Sequence, residues 1–177
     1  IYARGRHDGL AFTIVRPFNV IGPRMDFIRG IDGEGTPRVL ASFLGALLRG
    51  EPLELVDGGC SRRAFLWVGE FVEGLLRILE EPGRCLGEIL NLGNPHNDVT
   101  MAELAQRLSA VFAQRTGTQP RPPRTVPAER FYGEGYDDVA ARVPEIEQAR
   151  RLLGWVPRRA LDEMLPEIVD DYVARYG

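Results

Sequence analysis

Apolar positions along the chain alternate between two rhythms. Short β-rich runs recur at "AFTIVRP" (Ala11–Pro17), "LELV" (Leu53–Val56), "RAFLWV" (Arg63–Val68) and "GEILNLG" (Gly87–Gly93). Branched and aromatic residues bounded by Pro or Gly mark such runs as strands. Between them the apolar spacing becomes helical. "PRVLASFLGALLRG" places Pro37 at a first helical position and Gly50 as a stop. "VGEFVEGLLRILEEPG" is amphipathic and ends at Pro82-Gly83. "TMAELAQRLSAVFAQRTG" opens on a capping box, Thr100 with Glu103. "PEIEQARRLLGWVP" predicts a short helix stopped at Gly154, and Leu161 to Tyr176 a final one. Pro166 either lies in the first turn of that helix or kinks it. "LELV" and "RAFLWV" flank "DGGCSR", so they read as two short strands about a turn.

The intervening stretches are turn-rich. "FNVIGPR" and "MDFIRGIDGEGT" are loops, and "TQPRPPRTVP" is extended or irregular. "FYGEGYDDVAAR" (Phe131–Arg142) has neither period, so it is a loop that gathers rings and charges. Alternating strands and helices predict an α/β fold. The strands are too few for a self-sufficient doubly wound sheet. The opening "IYARGRHDGLAFTIV" reads as a helix end running into a strand, and the chain does not begin with Met. The expectation is one half of a larger fold, with residues 1–177 forming its C-terminal half. "GIDGEG" does not follow a strand and open a helix as a dinucleotide fingerprint does.

Composition narrows the classes. Of 177 residues, 44% are hydrophobic and 27% charged, an ordinary globular balance with enough chain for a real core. A net charge of −3 gives no strong attraction to nucleic acid or membranes. No apolar run reaches bilayer length, and no signal peptide is present, so the expected compartment is the reducing cytoplasm. Cys60 and Cys85 stand in no metal spacing, and a disulfide between them stays open. His7 and His96 have no partner ligands spaced nearby and are weak candidates for metal or catalysis.

Three stretches carry candidate chemistry. "RPFNVIGPR" ends a strand, and ligands of open α/β sheets bind at strand carboxyl ends. Asn19 there offers a donor and an acceptor, or else satisfies its own turn. In "DGGCSRRAF" two glycines let the backbone pass close to another group, and Arg62 and Arg63 suit phosphate oxygens. Arg38, near a helix start with spare amides, could join them; the alternative is a hairpin turn with solvated arginines. In "FYGEGYDDVAAR", Tyr132 and Tyr136 suit ring stacking, and Arg142 suits a carboxylate or phosphate. The alternative is a surface loop with an aromatic plug.

"RPFNVIGPR", "PLELVDGGCSRRAFLWV", "GEILNLGNPHNDVTMAELA" and "RRLLGWVPR" in this order resemble the C-terminal half of an extended short-chain dehydrogenase/reductase acting on nucleotide sugars. The resemblance covers almost the whole chain. It implies the last sheet strands of a Rossmann-like fold plus the small substrate-binding subdomain. "GPRMDFIRGIDGEGTPRVLA" and "FYGEGYDDVAAR" are more specific. They are similar to the UDP-glucuronate-decarboxylating branch. That branch includes the UDP-apiose/UDP-xylose synthases and the decarboxylase domain of lipid A aminoarabinose modification.

That resemblance implies a reaction and a set of roles. Bound NAD oxidises C4 of UDP-glucuronate, and the β-keto acid loses carbon dioxide. Arg142 takes the position of the arginine that faces the carboxylate. A guanidinium is a strong anion partner and a poor acid, so its expected part is electrostatic positioning, with any proton moving through water. Tyr136 and Asn19 match contacts to the nucleotide sugar. Arg38 and Arg63 match positions near the UDP phosphates. Glu54, Leu55, Val56, Asp57, Gly58, Gly59, Cys60, Ser61, Arg62 and Arg63 form the uridine and phosphate segment. Glu54 stands where the lipid A enzyme has lysine, Cys60 replaces a polar or basic residue, and Trp67 replaces an aspartate or tyrosine. The family's Gly-x-x-Gly-x-x-Gly loop and Tyr-x-x-x-Lys pair are not in this chain. NAD is therefore expected on an absent N-terminal half, the isolated chain is expected to be inactive, and the full-length family usually forms homodimers. The alternatives are another nucleotide-sugar epimerase or dehydratase, which would not need Arg142, and a non-catalytic UDP-sugar-binding module.

Overall fold

The computed structural model of the chain describes residues 2–132 and 139–177. In chain order the elements are α1 (Tyr2–Asp8), β1 (Ile14–Pro17), β2 (Val20–Ile21), α2 (Val39–Leu48), β3 (Glu54–Val56), β4 (Arg62–Ala64), β5 (Leu66–Trp67), α3 (Val68–Glu80), α4 (Pro82–Cys85), β6 (Ile89–Leu92), β7 (Asp98–Thr100), α5 (Met101–Thr116), β8 (Arg124–Val126), α6 (Ala128–Tyr132), β9 (Ala141–Arg142), α7 (Glu147–Leu153) and α8 (Leu161–Tyr176). The pairs β1/β6, β3/β8 and β4/β9 are all parallel, as an α/β fold requires. The described residues divide into two compact units.

The first unit contains residues up to 20, then 64–98 and 143–159. Its sheet is β1 beside β6, with Ile14 opposite Ile89 and Pro17 opposite Leu92. The entry to β1 is fixed by two bonds: Thr13 Oγ1 donates to the Cys85 carbonyl at 2.7 Å, and Gly87 N to the Phe12 carbonyl at 2.7 Å. Leu90 and Leu92 are fully buried. Helix α3 approaches at Gly74, where a Cβ would lie 2.9 Å from Leu92 Cδ1. Trp155 closes this core and donates its ring N–H to the Glu70 carbonyl at 3.0 Å. The segment after it is pinned from several sides. Arg159 N donates to Glu70 Oε1 at 2.9 Å, and the Arg159 carbonyl accepts from Asn94 and Asn97 amides. The Arg159 guanidinium lies 3.9 Å over the Trp67 ring. The motif "RRLLGWVPR" is thus a packing motif here.

The second unit contains the described residues of 21–63, 99–142 and 160–177. Its core is made by α2, α5 and α8, which bury Leu40, Phe43, Leu44 and Leu47, then Leu104, Leu108 and Phe112, then Leu161, Leu165, Ile168, Val169 and Tyr172. The capping box forms as the sequence predicts: Glu103 N donates to Thr100 Oγ1 at 3.1 Å and Thr100 N to Glu103 Oε2 at 2.8 Å. The Thr100 backbone N–H, and after it the Thr100 hydroxyl, hold the Glu103 carboxyl below its ordinary range, and Arg62 and Arg107 add to the effect.

Some expectations change and others are made specific. The turn 57–61 is not a hairpin, because β3 pairs with β8 and β4 with β9 and β7, so the chain passes from one sheet to another. "RAFLWV" breaks into β4 and β5. The Pro-rich stretch supplies β8, and the loop Phe131–Arg142 ends in β9. Pro166 sits at the sixth position of α8, past its first turn, so the Asp162 carbonyl has no intrahelical donor there. Cys60 and Cys85 are both free thiols, and burial pushes the Cys85 thiol up.

The loop "MDFIRGIDG" is held on α8. Tyr172 lies buried with its hydroxyl donating to the Asp26 carbonyl at 3.5 Å, and the Tyr176 hydroxyl donates to the Asp32 carboxylate. Burial, with the Asp26 carboxylate, pushes the Tyr172 phenol up to about 12. An unfolded tyrosine ionises near 10. Between those values the unfolded chain has lost a proton that the folded chain keeps, so stability falls as pH rises. The sequence contains no lysine to titrate in that window. Tyr172→Phe is expected to flatten the decline between about pH 10 and 12, read from denaturant midpoints at stepped pH; an unaltered slope would remove Tyr172 as its cause.

Candidate substrate site

Arg63 and Arg142 are the centre of the second unit's candidate site. They are register partners on the parallel strands β4 and β9. Partners in register face the same side of a sheet. Two like charges directly opposite each other are unfavourable unless an anion or a dipole lies close. Part of the compensation is internal: Arg63 Nη1 donates to the Arg62 carbonyl at 2.7 Å and to the Val139 carbonyl at 2.9 Å. Arg62 N donates to the Ala140 carbonyl at 2.8 Å, which continues the ladder. Arg142 is exposed at the end of this edge strand.

The segment before β4 turns through three left-handed residues, Asp57 (φ 46), Gly58 (φ 77) and Gly59 (φ 73). The close backbone approach expected of these glycines is made with the protein itself. A Cβ on Gly59 would lie 2.8 Å from Ala102 N, in the first turn of α5, whereas one on Gly58 meets open space. Gly59→Ala is therefore expected to cost about 2 kcal/mol, from the left-handed backbone and the clash together. Chemical unfolding would measure it, and a cost below about 0.5 kcal/mol would contradict the packing.

The other expected residues fall as follows. Leu55 and Val56 pair with Thr125 and Val126. Glu54 forms an ion pair with Arg124, and Asp57 Oδ1 accepts from Ala128 N at 3.1 Å. Cys60 is exposed, and the Ser61 carbonyl accepts from Met101 N at 3.0 Å. Arg38 caps α2, yet the anion it meets belongs to the protein. Asp26 Oδ2 takes both Arg38 N at 2.9 Å and Arg38 Nε at 3.0 Å, and Arg38 Nη2 donates to the Met25 carbonyl. Asp26 and Arg124 were not legible as partners, because each lies on an irregular stretch with no period. Tyr136 lies outside the described residues.

Asn19 belongs to the first unit. It holds φ 37, a region that asparagine tolerates better than most residues. Its Nδ2 donates to the Ala64 carbonyl at 3.0 Å, and its own carbonyl accepts from Leu66 N at 3.2 Å. It therefore clamps the end of β1 to the β4–β5 junction instead of satisfying its own turn.

The glycine loop at residues 30–35 does not fit a dinucleotide. Gly33 leaves room for the Phe27 ring, 2.4 Å from where its Cβ would be, and the loop follows no regular strand. With no lysine in the sequence, a Tyr-x-x-x-Lys pair has no place in this chain. Among the described residues no group of three or more His, Cys, Asp or Glu stands together as a metal site, and no helix is long and apolar enough to cross a membrane.

Parallel strand pairs alternating with helices define an α/β class of fold, in which a Gly-Gly turn leads to two arginines in register. The chain belongs to the NAD dependent epimerase/dehydratase family, whose profile matches residues 1–93. Within it, the chain is 50% identical over 169 residues to UDP-D-apiose/UDP-D-xylose synthase 2 of Arabidopsis thaliana, covering 93% of this chain and 43% of that protein. In structure it is similar to the PbgP3 protein of Burkholderia pseudomallei, with a TM-score of 0.79 and 33% identity over 99% of this chain and 49% of that one. It is also similar to the UDP-glucose 4-epimerase of Thermotoga maritima, with a TM-score of 0.73 and 27% identity over 98% of this chain and 49% of that one. The chain thus spans a little under half the length of these relatives.

Proposed function

We propose that this chain is the substrate-binding part of an NAD-dependent enzyme that oxidises and decarboxylates UDP-glucuronate in the cytoplasm. The observation that carries the reading is the pair Arg63 and Arg142 in register on β4 and β9. It is supported by half-identity to proteins named UDP-D-apiose/UDP-D-xylose synthase. One guanidinium meets a phosphate and the other a sugar carboxylate, which are the two anions of this substrate. Arg142 holds the carboxylate by charge-assisted hydrogen bonds and fixes its angle to the sugar ring. Its gain is orientation, since a guanidinium gives up no proton at working pH. Tyr136 and Asn19 contact the nucleotide sugar in the same reading. In this reading NAD is held mainly by a part of the enzyme outside this chain, and oxidation falls to groups there.

The likeness to a UDP-glucose 4-epimerase favours a second reading, in which the sugar is neutral and no carbon dioxide leaves. One assay separates the two. Joined to a dinucleotide-binding half of the family and given NAD, the chain is expected to release labelled carbon dioxide from UDP-glucuronate. Interconversion of UDP-glucose and UDP-galactose without carbon dioxide would establish the second reading instead.

A further inference from the structure

Arg142 needs a fixed place if it is to favour one sugar over another, and packing does not give it one. Residues 139–142 are all exposed, so no buried side chain anchors this strand. β9 is two residues long, and among the described residues it pairs with β4 and with no other strand. Hydrogen bonds to β4 are what hold it. Arg62 N gives one, to the Ala140 carbonyl at 2.8 Å. The next carbonyl upstream, that of Val139, is met by a side chain: Arg63 Nη1 donates to it at 2.9 Å. The same nitrogen donates to the Arg62 carbonyl at 2.7 Å. A guanidinium Nη carries two N–H groups, so this nitrogen serves two backbone carbonyls, one on each side of the β4/β9 pair. Arg63 thus adds a rung to the ladder beyond those that the backbone makes. A charged donor makes a stronger bond than a neutral one, and one bond weighs heavily in a strand this short.

We propose that Arg63 is a positioning residue for Arg142: its staple on the Val139 carbonyl keeps β9 on β4 and so fixes where the second guanidinium stands. The inference rests on the reading that Arg142 meets a sugar carboxylate. Without the staple β9 is paired only part of the time, and a ligand that needs Arg142 in place loses affinity by that fraction. A ligand without the carboxylate does not feel this loss.

The test is calorimetric titration of the chain with UDP-glucuronate and, separately, with UDP-glucose. It uses wild type, Arg63→Ala, Arg63→Met, Arg142→Ala and the Arg63→Ala/Arg142→Ala pair. The quantity read is the ratio of the two dissociation constants, from which any contact with the shared nucleotide cancels. Arg63→Ala is expected to lower that preference from at least about tenfold to below about threefold. Arg63→Met keeps the stem without the donors and is expected to match it. With Arg142 removed the ratio is expected to be near one, and Arg63→Ala is expected to change it by less than about 1.5-fold, since residues that act through one another do not add. An unchanged ratio in Arg63→Ala, even with weaker binding of both sugars, would make Arg63 a nucleotide contact alone and overturn the proposal. A preference that survives in Arg142→Ala and vanishes in the double variant would make Arg63 a direct contact of the carboxylate, and would also overturn it. Hydrogen exchange supplies a readout without ligand: the amides of residues 139–142 are expected to exchange faster in Arg63→Ala, with the protection of α8 kept. Unchanged exchange at 139–142, or loss of protection in α8 as well, would refute the staple. If the wild-type chain binds UDP-glucuronate no better than UDP-glucose, the sugar-acid reading fails and the inference with it, while exchange still decides whether Arg63 holds β9.

Discussion

Arg142→Ala is expected to weaken UDP-glucuronate binding by about tenfold to a hundredfold, the range of a charge-assisted contact. UDP-glucose, which lacks the carboxylate, is expected to lose less than about twofold. The contrast follows from the geometry of β9. Arg142 is exposed at the end of an edge strand, so removing it opens no cavity and breaks no core packing. What it takes away is one guanidinium from a pair in register with Arg63. Arg142→Lys is expected to recover only part of the loss, because an ammonium has the charge without the planar fork. Parallel titrations with both sugars measure the difference. Equal losses for the two would move Arg142 from the sugar to the shared nucleotide.

Trp155→Ala is expected to cost about 3–5 kcal/mol, the largest single loss of stability in the chain. Trp155 is 1% exposed, and its ring packs where α3 passes at Gly74. Its removal leaves a cavity beside Leu92 and takes away the indole N–H that donates to the Glu70 carbonyl at 3.0 Å. The same carboxylate-bearing residue holds the backbone of Arg159, so the loss spreads into the segment that Asn94 and Asn97 also bind. Trp155→Phe keeps most of the volume and is expected to cost less than half as much. Urea unfolding followed by circular dichroism measures both. A Trp155→Ala cost below about 1 kcal/mol would mean that this core collapses without harm.

What was legible in the sequence was what neighbouring residues decide among themselves. The Thr100/Glu103 box, the Gly154 stop and the span of α8 depend on residues within one or two turns, and each appears where the spacing puts it. Strand pairing was not legible in this way. β8 lies in a Pro-rich stretch and becomes a strand only because β3, seventy residues earlier by the Glu54–Arg124 spacing, offers a parallel edge. "RAFLWV" looks like one strand because its residues are all β-formers, yet different partners take its two halves. For the candidate site, the residue types were legible and their partners were not. Arg38 carried the right charge for a phosphate, while the acid that meets it, Asp26, lies twelve positions upstream in a loop without period. Asp57 and Glu54 read as members of a ligand segment, whereas their carboxylates face Ala128 and Arg124. The resemblance supplied the family, which spacing alone leaves open.

In the proposed function the chain recognises a nucleotide sugar by the sugar's carboxylate. The most direct test is calorimetric titration of the chain with UDP-glucuronate and, separately, with UDP-glucose. The account predicts binding of UDP-glucuronate at least about tenfold tighter than UDP-glucose, with the difference lost in Arg142→Ala. Equal affinity for the two sugars, or a preference for UDP-glucose, would contradict it.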